Sequence, residues 1–315
     1  MNGIWLDFER PLVELEKKIE ELKMTSHNGA GPELQKLSRE AESLRKKIFA
    51  NLNRWQRVQL ARHPQRPYSL DIITRITDDF IELHGDRNFR DDPAIVAGIG
   101  SIGKFRVAIV SQQKGRTTKQ RLFRNFGQPH PEGYRKAMRV MELGAKFGMP
   151  VLSIVDTPGA YPGVGAEERG QSEAIARNLK AMSTLPVPMV IVILGEGGSG
   201  GALAIAIGDR VFMLQYAIYS VISPEGCASI LWRDSSKAPA AAEALKLTAD
   251  DLLRFGIIDD IIKEPEGGAH RDWDATAHNI KTVVIKTLAE LSSFAIEDLI
   301  DHRVKKLRGM LPKEE

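Results

Sequence analysis

The chain is short of several things, and each shortage removes a class of protein. Its 315 residues include one cysteine, Cys227. A single cysteine supports neither a disulfide framework nor a cysteine-rich zinc module, and it fits a reducing compartment. No window approaches ~18 consecutive apolar residues, the length of a membrane-crossing helix. The start, Met1 to Asp7, lacks the basic opening and apolar run of a secretory signal. A cytoplasmic protein with no membrane partner is therefore expected. Net charge is only +3 and no aromatic-studded basic patch accompanies it, so no nucleic-acid partner is inferred. No histidine lies between His130 and His270, which leaves a Ser-His hydrolase little support. What is present is ordinary for a globular protein: 43% apolar and 27% charged residues, in a chain long enough for a sizeable core.

Two apolar stripes at helical spacing open the chain. Leu12, Leu15, Ile19 and Leu22 form the first; Leu34, Leu37, Ala41, Leu44 and Ile48 form the second. A polar Gly/Pro break, Ser26 to Pro32, separates them, so residues 1–68 read as an antiparallel helical hairpin followed by a linker. The hairpin packs on its own chain or grips another subunit. The linker is the basic stretch containing Trp55, Arg57, His63, Arg66 and Tyr68.

Residues 69–315 read as an α/β domain. Ser69 is placed as N-cap of a helix through Leu83. Ala94 to Ile99 and Phe105 to Ser111 suggest a hairpin around Gly100–Gly103. The loop after it holds Gln113, Lys114, Gly115 and Arg116, a set that reads equally as a phosphate contact or as a solvated turn. From Val151 onward short apolar strands alternate with helical stretches, the signature of βαβ units and a largely parallel sheet. The tail from Trp273 is helical. Ligands of such sheets sit outside the carboxyl ends of the strands.

Two loops lie at that end. One is Asp156-Thr157-Pro158-Gly159-Ala160-Tyr161-Pro162-Gly163. The other, Gly195 to Gly201, holds five glycines in seven residues and leads into a small-residue helix expected over Ala202–Ile207. Glycine permits positive φ and close backbone approach, and a helix start offers free N–H groups to an anion. The spacing Gly195-x-Gly197-x-x-Gly200 also spells a dinucleotide fingerprint. However, the next strand ends in Leu214-Gln215-Tyr216, without the acidic residue that would hold a ribose. A P-loop needs a lysine that the loop lacks. With no acid–base side chain at hand, two readings stay open: backbone N–H groups that stabilise a developing oxyanion, or glycines that only allow close helix–strand packing.

The blocks Asp156 to Leu179, Gly195 to Ala206, Ser220 to Trp232 and Ala61 to Pro67 resemble the alpha-subunit family of bacterial acetyl-CoA carboxylase carboxyltransferases, from about Leu6 to about Arg308. The resemblance implies a crotonase-like fold, a spiral of ββα units with an N-terminal helical hairpin and C-terminal helices. It implies carboxyl transfer from carboxybiotin, borne on the biotin carboxyl carrier protein, to acetyl-CoA, giving malonyl-CoA for fatty acid synthesis. Biotin would be the cofactor, not attached to this chain, and no metal is expected here. The implied partners are a zinc-bearing beta subunit in an alpha2beta2 heterotetramer, the carrier protein and biotin carboxylase. By position in the motif, the amides of Gly200 and Gly201 would cradle the ureido oxygen. Gly159, Ala160, Gly198 and Ser199 would line the same pocket, and Tyr161 and Pro162 would shape its wall. Gln113, Lys114 and Arg116 are candidates for CoA or the partner interface. Glu167, Glu168 and Arg169 read as a charged helix start. The alternatives are another acyl-CoA substrate, such as propionyl-CoA, or a non-catalytic scaffold of the same fold.

Overall fold

The apolar runs of the sequence form the centre of the molecule. A computed structural model describes residues 4–25 and 31–310. Their strands are β1 (Phe80–Glu82), β2 (Ile95–Ile102), β3 (Phe105–Gln112), β4 (Val151–Thr157), β5 (Met189–Gly198), β6 (Arg210–Leu214), β7 (Ile218–Ser220) and β8 (Asp260–Ile262). The described strands form one sheet in the order β1-β2-β3-β4-β5-β6-β8, with β7 paired to β5. β1, β2 and β3 are antiparallel, and β3 onward is parallel. The β2–β3 pairing runs to Ile102↔Phe105. The turn is thus only Gly103-Lys104, with Gly103 at φ 57°, tighter than the four-residue turn expected. β4 is buried at every position, as parallel strands covered on both faces are.

The helices are α1 (Arg10–Thr25), α2 (Pro32–Ala50), α3 (Arg54–Ala61), α4 (Ser69–Ile76), α5 (Thr118–Phe123), α6 (Pro131–Lys146), α7 (Val164–Glu168), α8 (Gln171–Ser183), α9 (Ser199–Leu203), α10 (Pro224–Trp232), α11 (Ala238–Leu245), α12 (Ala249–Arg254), α13 (Trp273–Leu291) and α14 (Ile296–Gly309). None is long and apolar enough to cross a membrane. Both hairpin stripes meet: Leu12, Ile19, Leu34 and Ala41 share one cluster, with Leu15, Leu22, Leu37, Leu44 and Ile48 against it. Tyr216 belongs to that cluster, so the hairpin packs on its own chain. The break between the helices, Ser26 to Ala30, lies outside the described residues.

Four expectations about elements are corrected. Ser69 is not the cap of a long helix. Tyr68 takes that place, α4 stops at Ile76, and residues 80–82 pair as a sheet edge. The Ser69 hydroxyl instead donates to Gln112 O at 2.6 Å. The helix whose charged start was read at Glu167–Arg169 does not run on as one: Gly170 adopts φ 79° and divides α7 from α8. The small-residue helix begins earlier and is shorter, over Ser199–Leu203. The stretch read as a linker is packed rather than free. α3 occupies its first half, and His63 and Arg66 are buried.

Candidate active site

β5 is irregular where it matters. Val155 pairs with Ile193, yet Thr157 pairs with Gly197. Two steps on β4 match four on β5, so β5 bulges over Leu194–Glu196, as strands commonly do beside functional sites. Below the bulge β5 pairs with β6; above it, Glu196, Gly197 and Gly198 pair with β7. The bulge carries a charged residue into an otherwise apolar strand. Glu196 is buried, and its N–H donates to Asp156 Oδ1 at 3.0 Å.

The glycines of this turn are explained by proximity rather than by backbone sign. None of Gly195, Gly197, Gly198, Gly200 and Gly201 has positive φ; the left-handed residue is Ser199, at φ 49°. A Cβ on Gly198 would stand 2.2 Å from Pro158 O, and one on Gly201 would stand 2.3 Å from Ala160 N. The 158–160 loop therefore crosses directly over the start of α9. At Gly200 a Cβ would touch only Ile175, at 3.7 Å. Gly159 has φ 154° with open space around it, so there the backbone itself requires glycine. The structure thus brings Gly159, Ala160, Gly198 and Gly201 together, with Gly200 and exposed Ser199 at the helix start. Gly200 and Gly201 lie in the first turn of α9, where N–H groups have no partner within the helix.

The crossing loop is fixed from behind. Gly159 N donates to Thr157 Oγ1 at 3.1 Å, and Tyr161 N to Pro129 O at 3.0 Å. The Tyr161 ring is half-buried and stacks on His130 at 4.1 Å, while Pro162 is exposed. Gln112 ties both loops. Its Nε2 donates to Gly201 O at 2.7 Å and its Oε1 accepts from Asp156 N at 3.1 Å.

A charged chain runs beneath the loops. Lys114 Nζ lies 2.8 Å from Asp156 Oδ1 and 2.7 Å from Glu196 Oε2. Arg62 Nε lies 2.6 Å from Glu196 Oε1, and Arg62 Nη1 lies 2.6 Å from Glu225 Oε1 on α10. Burial pushes the Glu196 carboxyl up, but Lys114 and Arg62 bring it down to about 2. Burial likewise works against the Lys114 ammonium, and Asp156 and Glu196 hold it above its ordinary range. Lys114 therefore has its charge balanced in place. Arg116 pairs with Asp71 at 2.6 Å and lies over Tyr68 and Trp273. Gln113 Oε1 accepts from Leu70 N at the start of α4. These three sequence candidates are internal fasteners, with no free cation among them. Glu167 and Glu168 are exposed in α7, while Arg169 pairs with buried Glu132.

Cavities open on either side of the cradle. One, of about 390 Å³, is lined by Ser199, Leu203, Tyr219, Val221, Phe255 and Ile257, among others. Burial raises the Tyr219 phenol above its ordinary value, so it stays neutral. The other, of about 230 Å³, is polar and holds Arg62, Lys114, Asp156 and Glu196. Sequence reading missed Arg62, Glu225 and the apolar cavity. The one local signal was Glu196 itself, a carboxylate closing an apolar run.

Comparison with known proteins shows the family and the fold. A family model described as acetyl co-enzyme A carboxylase carboxyltransferase-like matches residues 5–311. The acetyl-coenzyme A carboxylase carboxyl transferase subunit alpha of Syntrophotalea carbinolica is 54% identical over 314 residues, 99% of this chain and 99% of that protein. The subunit of the same name from Geobacter metallireducens is 56% identical, covering 97% and 96%. Among solved structures, a Pseudomonas malonate decarboxylase hetero-tetramer matches with TM-score 0.59 at 15% identity, over 77% of this chain and 97% of that one. The transcarboxylase 12S core matches with TM-score 0.53 at 23% identity, over 68% of this chain and 41% of that one. These structural likenesses bear on the fold, which is crotonase-like as the sequence resemblance implied.

Proposed function

The chain belongs to the acetyl co-enzyme A carboxylase carboxyltransferase-like family, and from that premise we propose how its two crossing loops serve the reaction. Its activity is that of the carboxyltransferase alpha subunit: with a beta subunit, it moves a carboxyl group from carboxybiotin to acetyl-CoA. Biotin, presented by its carrier protein, supplies the carboxyl group and a ureido oxygen on which negative charge develops. The described residues suit such a group. The α9 start offers neutral first-turn amides, the adjoining cavity is apolar, and nearby Glu196 is neutralised by Lys114 and Arg62.

The observation that carries this reading is the tight crossing of Gly159–Ala160 over Gly198 and Gly201. It fixes the amides of Gly200 and Gly201 before any ligand arrives, and preorganised donors aimed at developing charge commonly supply more of an enzyme's rate acceleration than any other single effect. Ser199 and the neutral phenol of Tyr219 border the cavity without acting as acid or base. Lys114 acts on the loops rather than on CoA, since it holds Asp156 and Glu196, one residue from each turn. The partner subunit has a surface to meet. Val221 at the cavity rim and Ile230 and Leu231 on α10 are exposed apolar residues on the side linked to Glu196 through Glu225 and Arg62.

Reconstitution tests the proposal. The chain purified with a zinc-bearing beta subunit is expected to form a heteromer that transfers carboxyl from malonyl-CoA to free biotin, and the chain alone to show negligible transfer. Full activity of the single chain would refute a site completed by the partner.

A further inference from the structure

The net charge of +3 conceals a local imbalance. From Pro93 to Pro131 the chain has no aspartate or glutamate, and five cations fall between Lys114 and Arg124. Two of them, Lys114 and Arg116, are spent on internal ion pairs. Arg121 and Arg124 donate instead to the carbonyls of Gly115 and Pro93, at 3.3 and 2.6 Å, and Lys119 is exposed. These three lie on or beside α5, a helix with no buried residue. Its apolar residues also face outward. Leu122 and Phe123 are each 61% exposed, and Phe126 just beyond is 53% exposed. Isolated exposed apolar residues are ordinary, but three within five residues, beside a helix that buries nothing, mark a contact surface.

The turn that presents Phe126 is held against its own preference. Asn125, Phe126 and Gly127 all adopt the left-handed conformation, at φ 49°, 57° and 77°, which a bulky side chain rarely accepts. Such backbone persists only where its surroundings enforce it, commonly at sites that contact ligands. Here Asn125 Nδ2 donates to Asp92 Oδ1 at 2.9 Å, and Gly127 O accepts from Thr157 Oγ1 at 2.6 Å. Thr157 stands at the root of the crossing loop, so the turn after α5 is tied to the cradle. Arg121 and Phe126 line the polar cavity together with Pro158.

We propose that α5 and the turn after it are the docking site of the biotin-bearing carrier protein, which meets them through an acidic surface with an apolar spot. The proposal rests on the carboxyltransferase reading above. The place favours this occupant, because the patch adjoins the crossing loop, where a tethered biotin has to arrive. The opposite cavity, with Val221 at its rim, is left to the beta subunit. The character of the patch favours it too. A carrier docks and leaves in every turnover, which suits a small charged contact, whereas a permanent subunit interface is larger and more apolar. Unpaired cations at such a rim speed encounter with an acidic partner more than they tighten the complex.

The test assays the heteromer with malonyl-CoA as carboxyl donor and two alternative acceptors, free biotin and the biotinylated carrier. The double variant Lys119→Glu with Phe123→Ser changes only exposed side chains. Its KM for the carrier should rise by roughly tenfold with kcat kept, while transfer to free biotin and the melting midpoint stay unchanged. Added salt should raise the carrier KM of the wild type, and that of the variant far less. Carrier kinetics unmoved in the variant, with free biotin still accepted, overturn the dock alone. A variant that no longer assembles with the beta subunit assigns the face to that subunit and overturns it too. So does binding of RNA or of anionic phospholipid vesicles that the variant loses while its carrier kinetics hold. A wild-type heteromer inactive toward both acceptors overturns the carboxyltransferase reading and the dock with it.

Discussion

At the scale of single residues, the glycines of one turn are not equivalent. Gly201→Ala must push aside the backbone of Gly159 and Ala160. Such overpacking costs typically about 1–3 kcal/mol, and the variant should lose transfer activity as well as stability. Gly200→Ala places its methyl against Ile175 at ordinary contact distance. It should shift stability by under about 1 kcal/mol. Thermal melts of the two variants check this contrast, and equal destabilisation would contradict the crossing-loop geometry. Ser199 occupies a left-handed position at a strand–helix junction, as a strained nucleophile would, but no base stands beside it. Ser199→Ala should keep transfer within about tenfold; a loss near the 10³-fold typical of a missing catalytic group would reinstate a nucleophile. The composition of the turn was legible in the sequence. Its reason was not, because the atoms that forbid a Cβ belong to residues 158–160, and only the fold brings them near.

At the scale of elements, the bulge of β5 and the charges beneath it form a single device. Glu196 is held at about 2, below the ordinary value of a carboxyl in an unfolded chain. Its contribution to stability is therefore complete above about pH 4.5 and is lost as pH falls toward 2. The stability gap between wild type and Glu196→Gln should be flat near neutrality and close over that acid window. A gap that stays constant through it would show that Glu196 is not ionised in the fold. Arg66 offers a second measurement. It is buried against Glu264, with bonds of 2.6 and 2.8 Å, and also donates to Leu194 O at the bulge. Removing one partner of a buried pair costs roughly 3–5 kcal/mol, so Arg66→Leu should lower the urea midpoint sharply; a change within error would mean that the pair adds nothing. Periodicity revealed both hairpin helices, the β2–β3 hairpin and most parallel strands. It failed at Ser69–Leu83, where an apolar pattern continues from a helix into an edge strand, and at Gly170, whose left-handed turn divides an otherwise uniform helical run. Arg57, His63 and Arg66 read as part of a linker because their carboxylate and carbonyl partners lie far along the chain.

At the scale of the whole molecule, the N-terminal hairpin packs through Phe8 and Phe49 on Tyr216, just after β6, and exposed apolar residues gather beside the cavity at Val221 and on α10 at Ile230 and Leu231. Ile230→Asp with Leu231→Asp should weaken assembly with the beta subunit at least tenfold while leaving the melt of the isolated chain unchanged. Unaltered assembly in sizing experiments would place the interface on another face. Fold class and family were readable from long sequence blocks. The cavity was not, since Leu203, Tyr219, Val221, Phe255 and Ile257 meet only through the sheet. The most direct test of the cradle is amide NMR of the heteromer with the chain labelled at its glycines, 27 in number, during titration with biotin. The amide protons of Gly200 and Gly201 should move downfield and saturate together, while surface glycines such as Gly309 stay still. Saturable biotin binding that leaves those two signals unmoved would contradict a backbone cradle at the start of α9.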